Sequence, residues 1–300
     1  MRAVQLDQIK EIVHAVAPTL ENASIRRAGK GECYEAWWVG DDHVFRVPLD
    51  KSEGRALEVE MAVLPQLAEK LEVKIPAPEF LWRDETTEYV VLGHRAVHGK
   101  PLTSERLAHL SSLRRDALAV VIARFFTQLH DYPLESVDVE LPLVANLNGR
   151  RENISAIEKL VFPRMTSLDV AACIDMKKYF APCPPEKWTL LHGDLGPEHI
   201  FVDENDEVTG IIDFGNLSRG DPSFDLSAVI YGSGLQFARE VLNHMMLGNA
   251  QEELVRARIR CTWEYLTWSV EELEEEHTNE VDAEIPKIAG LIDAVNLWWR

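Results

Sequence analysis

The densest chemistry in this 300-residue chain lies between Leu191 and Gly215. It reads Leu191-His192-Gly193-Asp194-Leu195-Gly196-Pro197-Glu198-His199-Ile200, and Asp213-Phe214-Gly215 begins fourteen residues after His199. Two carboxylates, Asp194 and Asp213, and one imidazole, His199, are thus separated by two short apolar runs, Ile200 to Val202 and Val208 to Ile212, with the polar Asp203 to Glu207 between them. An apolar run, a polar turn and a second apolar run predict a hairpin, and a hairpin returns Asp213 to the neighbourhood of His199. His-Gly-Asp or Asp-Phe-Gly alone is ordinary loop sequence. Both together, in this order and with a hairpin between them, are a specific signal.

Order and spacing resemble the catalytic loop and metal-binding triplet of protein-kinase-like enzymes. Their chemistry needs a carboxylate beside an acceptor hydroxyl and ligands that hold Mg²⁺ against phosphates. With Gly210-Ile211-Ile212-Asp213-Phe214-Gly215 and Gly220-Asp221-Pro222-Ser223-Phe224-Asp225 added, the chain is similar to the aminoglycoside and macrolide phosphotransferase family, in particular its 2″-aminoglycoside branch. The resemblance implies an α+β, bilobal, protein-kinase-like fold, with ATP or GTP as donor, Mg²⁺ as cofactor and transfer of the γ-phosphoryl group to a hydroxyl of an aminoglycoside antibiotic. A macrolide or a metabolic small alcohol is the alternative acceptor. It also implies Asp194 as catalytic base, His199 and Asp213 as metal ligands, and His192 and Asp225 as supports behind them. Asp225 reads equally well as the cap of a helix starting at Leu226. Imidazole is a less usual partner for hard Mg²⁺ than oxygen. His199, where protein kinases have Asn, therefore motivates a third reading, a nucleotide-binding module without turnover.

The elements that must position these groups are legible upstream. Leu6, Ile9, Val13 and Val16 predict an amphipathic helix ending near Pro18. Cys33 to Val39 and Val44 to Val47 predict strands joined by a Gly40-Asp41-Asp42 turn, and Leu57, Met61, Leu64, Ala68 and Leu71 predict a helix capped near Ser52. Two further strands follow, Phe80 to Trp82 and Tyr89 to Leu92. In a kinase-like lobe a basic strand residue meets the phosphates and a helical Glu holds it; the resemblance assigns these to Arg46, where the family often has Lys, and Glu60. Lys51 is a rival in a loop. Gly29-Lys30-Gly31 can cover phosphates with backbone N–H groups, although it is not a full Gly-x-Gly-x-x-Gly. The resemblance gives the nucleotide base the backbone of His94, Arg95, Ala96 and Val97. Gly and Pro punctuation between Gly93 and Pro101 divides the chain into a nucleotide-binding lobe, 1–96, and a helical lobe, 97–300, with catalytic loop and acceptor site.

Beyond Ser111 the pattern is mostly helical, beginning with Leu118, Val121, Phe125 and Leu129. Glu264, Trp268, Glu271 and Glu275 recur at helical spacing and offer a polycation both charge and an aromatic wall. The same spacing also fits a solvated acidic helix whose Trp residues face the core. The apolar stretch from Leu226 to Gly234 departs from the 2″ branch, which tends to be acidic there, and Tyr231 within it suits a larger, less charged acceptor such as a macrolide.

A formal net charge of −19 and the lack of a basic run oppose nucleic acid and anionic membrane as partners, and favour a cationic ligand. Cys33, Cys173, Cys183 and Cys261 form no CxxC pair or Cys/His metal spacing, which fits a reducing cytoplasm. Charged residues interrupt the first eighteen positions as no signal peptide would allow, and no stretch reaches transmembrane length. The expected molecule is a cytoplasmic enzyme, a monomer rather than an oligomer.

Overall fold

The computed structural model describes residues 5–296 except 85, 87–88, 145–150, 177–186 and 246–248, with the backbone alone at 151–153 and 293–296. Cys183 lies outside the described residues. The amphipathic opening forms α1 (Leu6–Val16), which buries Ile9, Ile12 and Val13. Strands β1 (Ile25–Lys30), β2 (Tyr34–Val39) and β3 (His43–Pro48) precede α2 (Gly54–Ala68), and β4 (Pro78–Arg83) and β5 (Val90–Arg95) follow. They form one antiparallel sheet in the order β1-β2-β3-β5-β4.

The sheet separates two apolar layers by strand alternation. Phe45, Val47, Trp37, Val39 and Val91 face α1, whereas Val90 and Leu92 face Leu57 of α2. Arg46, between Phe45 and Val47, therefore points to the α2 side. The cap expected at Ser52 belongs instead to Asp50, whose carboxylate accepts from the Ser52 N–H at 2.9 Å and starts the 3-10 turn Lys51–Glu53 ahead of α2. An Asp side chain in extended backbone reaches the N–H two residues on, which closes the turn that leads into the helix.

The remainder is β6 (Lys100–Pro101), α3 (Ser104–His109), α4 (Ser112–His130), β7 (Leu143–Val144), α5 (Arg151–Ala156), α6 (Ser167–Met176), β8 (Thr189–Leu191), β9 (Ile200–Val202), β10 (Val208–Ile211), β11 (Ser218–Gly220), α7 (Ser223–Ser233), α8 (Leu235–His244), α9 (Ala250–Glu274) and α10 (Thr278–Asn296). Ser111 caps α4 through the Arg114 N–H. The predicted hairpin is β9–β10, with Val208 opposite Val202 and Ile211 opposite Ile200. β6 adds to its other edge, and the Ile211 N–H donates to the Lys74 carbonyl at 2.9 Å, so both the connector after β5 and the loop after α2 are fastened to it. The main core is continuous from Val63, Leu64 and Leu67 of α2, through Ile122 and Phe126 of α4, to Leu266 of α9. Helix α2 thus joins the sheet to the helical body. Among the described residues no helix is long and apolar enough to cross a membrane.

Candidate active site

The segment between β8 and β9 is organised around two buried groups. The His192 ring accepts the Asp194 backbone N–H at Nδ1 (3.2 Å) and faces the Ile212 carbonyl through Nε2 (3.1 Å). One nitrogen accepts and the other donates, as in a neutral imidazole. Burial, the largest influence on this ring, holds its pKa below the usual 6.5. His192 therefore ties the loop carrying Asp194 to the strand end that precedes Asp213, with its ring 4.6 Å from that of Phe214. The second group is Asp225. Its Oδ1 accepts the Gly193 N–H at 2.7 Å, and its Oδ2 accepts the His192 N–H at 3.2 Å and His130 Nε2 at 2.8 Å. α7 begins at Ser223, so Asp225 lies inside its first turn and does not cap a helix starting at Leu226. Gly193 has φ +86°, and a Cβ there would meet the Asn216 carbonyl at 2.6 Å, so the loop can pass the Asp213 turn at this spacing with glycine alone.

These supports bring three groups together. The Asp194 carbonyl accepts from His199 Nδ1 at 2.6 Å, and His199 Nε2 lies 3.5 Å from Asp213 Oδ2. A carbonyl can accept but not donate, so Nδ1 carries a proton, and Nε2 is the nitrogen on the Asp213 side. A metal-ligating imidazole is commonly oriented in this way, by a carbonyl on its other nitrogen. Asp213 has φ +66°, a conformation that Asp tolerates better than most residues and that turns its carboxylate back towards His199. Asn216 Nδ2 donates to Asp194 Oδ2 at 3.4 Å. Burial raises the Asp194 carboxyl pKa above the usual 3.8, partly opposed by His199 and His192, which is the direction that strengthens a base.

Across the cleft, Arg46 Nη1 donates to both oxygens of Glu60, at 2.6 and 2.8 Å. Burial acts to lower the Arg46 pKa, but Glu60 and Asp213 outweigh it and the net direction is up, so the cation persists. Its Nη2 is buried without a hydrogen-bond partner, 3.5 Å from Asp213 Oδ1. A buried N–H without an acceptor is costly unless a ligand supplies one. This orphan donor, beside the paired His199 Nε2 and Asp213 Oδ2, fits a phosphate and a divalent cation: neighbouring ligands around Mg²⁺ lie roughly 3 Å apart. Lys51 is exposed in its turn and lacks this support. Gly29 lies at a β1 bulge where a Cβ would meet no protein atom within 4 Å, and the Gly31 N–H donates to the Tyr34 carbonyl at 2.9 Å. In the connector, the Arg95 and Ala96 N–H groups already bond the Ala77 and Asp42 carbonyls. Among the described residues that leaves the Val97 N–H, with connector carbonyls, for a nucleotide base. The Arg95 carbonyl accepts from His94 Nδ1 at 2.8 Å, and burial depresses the His94 pKa to about 4.

On the acceptor side, the last turn of α7 presses on the catalytic loop: a Cβ on Gly232 would lie 2.9 Å from Pro197 Cδ and 3.1 Å from Gly196 Cα. Tyr231, one residue earlier, is 45% exposed and its ring lies 4.6 Å from Tyr265 of α9. Glu264 and Trp268 are half-buried and Glu271 exposed, the less buried stripe of a helix whose Trp263 is in the core. Sequence spacing did not single out His130, Asn216, Tyr265 or Tyr34. His130 and Asn216 act through single long-range bonds that leave no periodic trace. Tyr34 was readable only as a strand residue following the Gly29-Lys30-Gly31 loop.

The pattern of the phosphotransferase enzyme family matches residues 24–258. Among solved structures, the GDP and kanamycin complex of APH(2″)-IIIa is similar with a TM-score of 0.77 at 24% identity, over 94% of this chain and 97% of that one. The apoenzyme of macrolide 2'-phosphotransferase MphH from Brachybacterium faecium gives 0.61 at 18% identity, over 93% and 98%. Among curated proteins, the uncharacterized protein YcbJ of Bacillus subtilis (strain 168) is 44% identical over 46 residues, which span 15% of each chain. The structural likenesses establish a shared kinase-like fold, and the family pattern extends over most of the sequence. The chain belongs to the phosphotransferase enzyme family.

Proposed function

We propose that this small-molecule kinase transfers the γ-phosphoryl group of ATP or GTP to a hydroxyl of an aminoglycoside. The observation that carries the reading is His199, which bonds the Asp194 main-chain carbonyl through Nδ1 and stands 3.5 Å from Asp213 Oδ2 through Nε2, so that the residue read as base and the residue read as metal ligand flank one imidazole. Asp194 orients the acceptor hydroxyl and takes its proton as the oxygen attacks the γ-phosphorus, while the bond to the β–γ bridging oxygen breaks and ADP or GDP leaves. Arg46, anchored by Glu60, directs Nη2 at the phosphates. His199 Nε2 and Asp213 would hold Mg²⁺, which would supply neutralisation of charge on the phosphate oxygens. His192 and Asp225 fix the loop from behind. The nucleotide lies mainly on residues 1–96, under Gly29 and Gly31, and meets the connector at Val97, the first residue of the second lobe; the acceptor belongs to 97–300, against Tyr231, Glu264, Trp268 and Glu271. A net charge of −19 draws a polycation towards this surface. The free Cys33, Cys173 and Cys261 suit a cytoplasmic enzyme.

The exposed Tyr231 ring, tilted against Tyr265, favours a second reading, a macrolide 2'-phosphotransferase, since an exposed aromatic surface suits a large, weakly charged ring system. The test is to incubate the protein with Mg²⁺ and ATP or GTP against kanamycin, a macrolide and choline, and weigh the products. Addition of one phosphoryl group to kanamycin is expected. Phosphorylation of the macrolide alone would reject the aminoglycoside reading, and an Asp194→Asn variant that turns over normally would reject the assigned base.

A further inference from the structure

We propose that Tyr34 is a positioning residue for phosphate binding: its ring face fixes the plane of the Arg46 guanidinium so that Nη2 is presented to the phosphates. The inference rests on the reading of Arg46 as a phosphate ligand. A lysine would offer a compact ammonium able to donate in many directions, whereas arginine offers a planar fork whose value depends on how its plane is set. Glu60 takes Nη1 with both oxygens and so fixes one corner of the fork. Rotation about that corner would still swing Nη2 away from the cleft. The face of Tyr34 closes that freedom, because Cζ of Arg46 stands 4.2 Å from the ring centroid.

The sheet register brings the two together. Ala36 pairs with Arg46 and Tyr34 with Pro48, so Tyr34 and Arg46 are diagonal neighbours on one face of β2 and β3. The ring is itself held on two sides. Its hydroxyl donates to the Glu53 carbonyl at 3.3 Å, in the turn that leads into the helix carrying Glu60, and it packs beside Leu57, Val90 and Leu92. A Cβ on Gly215, next to the Asp213 turn, would lie 3.8 Å from Tyr34 Cε2 and 3.6 Å from Arg46 Nη2. One ring thus contacts the turn into the Glu60 helix and the phosphate-facing cation, and lies close enough to the Asp213 turn that a side chain at Gly215 would reach it.

The experiment measures dissociation constants of Mg·ATP and Mg·GTP by calorimetry, with the melting temperature of the nucleotide-free protein, for Tyr34→Phe, Tyr34→Leu, Arg46→Lys, Arg46→Ala and Tyr34→Leu combined with Arg46→Lys. Tyr34→Leu should weaken nucleotide binding about tenfold, in the range for a desolvated cation over an aromatic ring. Tyr34→Phe, which keeps the ring, should stay within about twofold of the parent by the same reasoning. In the Arg46→Lys background the Tyr34→Leu loss should shrink to less than about threefold, since a point donor needs no platform. Should Tyr34→Leu fail to fold, Tyr34→pentafluorophenylalanine keeps ring shape while reversing its charge distribution, and it should show the tenfold loss that Tyr34→Phe does not. Equal losses in the parent and Arg46→Lys backgrounds, or tight binding by the fluorinated ring, would overturn the inference. Unchanged binding by Arg46→Ala would reject the phosphate-ligand reading itself. A large loss there with none at Tyr34→Leu would overturn the Tyr34 inference alone.

Discussion

Asp194, the proposed base, has its acidity set by its surroundings. Burial pushes its pKa above 3.8, and the neighbouring imidazoles pull it partly back. Because the ionised form accepts the proton, activity should fall on acidification, with the acid limb of kcat/KM lying above the ordinary aspartate value. Asp194→Asn should remove that limb and cost about 10² to 10⁴ in kcat while nucleotide binding persists, as a pH series on both proteins would read out. An acid limb unchanged in the variant would assign it to another group. The residue type and its spacing to His199 and Asp213 were legible in the sequence. The tautomer of His199 was not, because it depends on a carbonyl that only the folded loop brings within 2.6 Å.

At the scale of elements, the catalytic loop is held by α7 and α4 as much as by its own strands. Asp225 of α7 accepts two loop N–H groups and the His130 ring at the end of α4. Asp225→Ala would leave one buried and two half-buried donors without their acceptor and should cost on the order of 3 kcal/mol of stability, measurable as a lower urea midpoint at unchanged slope. A loss under about 1 kcal/mol would mean that water or a neighbour replaces the carboxylate. The strongly periodic elements, α1, α2 and α4, and the β9–β10 hairpin follow from alternation of apolar and polar residues. β1 escaped because it is an edge strand: Arg26 to Lys30 are exposed, so burial never wrote a pattern into them. The capping side chain lies two residues before the expected Ser52, and on the 3-10 turn ahead of α2 rather than on α2 itself, because Asp50 and Ser52 are both capping types and backbone geometry selects between them.

For the whole molecule, the junction between sheet and helical body carries a titratable group. His94 in β5 is buried with a pKa of about 4 against 6.5 when unfolded. The folded state binds this proton more weakly, so the stability it confers is complete above pH 6.5 and is lost as pH falls towards 4. The loss approaches about 3 kcal/mol. Urea unfolding between pH 7 and 4 should show His94→Gln losing less stability than the parent over that window; parallel curves would remove His94 as the cause. The continuous core running from α2 into α4 and α9 could not be inferred from sequence, since each helix shows an apolar stripe but not its partner.

The sequence alone pointed to phosphoryl transfer and singled out Asp194, His199 and Asp213 as its candidate groups, because that chemistry constrains residue type and local spacing, and both are written along the chain. It also determined the strand-first, helix-later order, since burial on one face imposes a period on sequence. Tertiary structure decided which donor Arg46 leaves free, that Tyr34 lies over it, and that Asp225 and His130 brace the loop. Those contacts join residues up to 95 positions apart, and such pairings arise from packing, which no local pattern records.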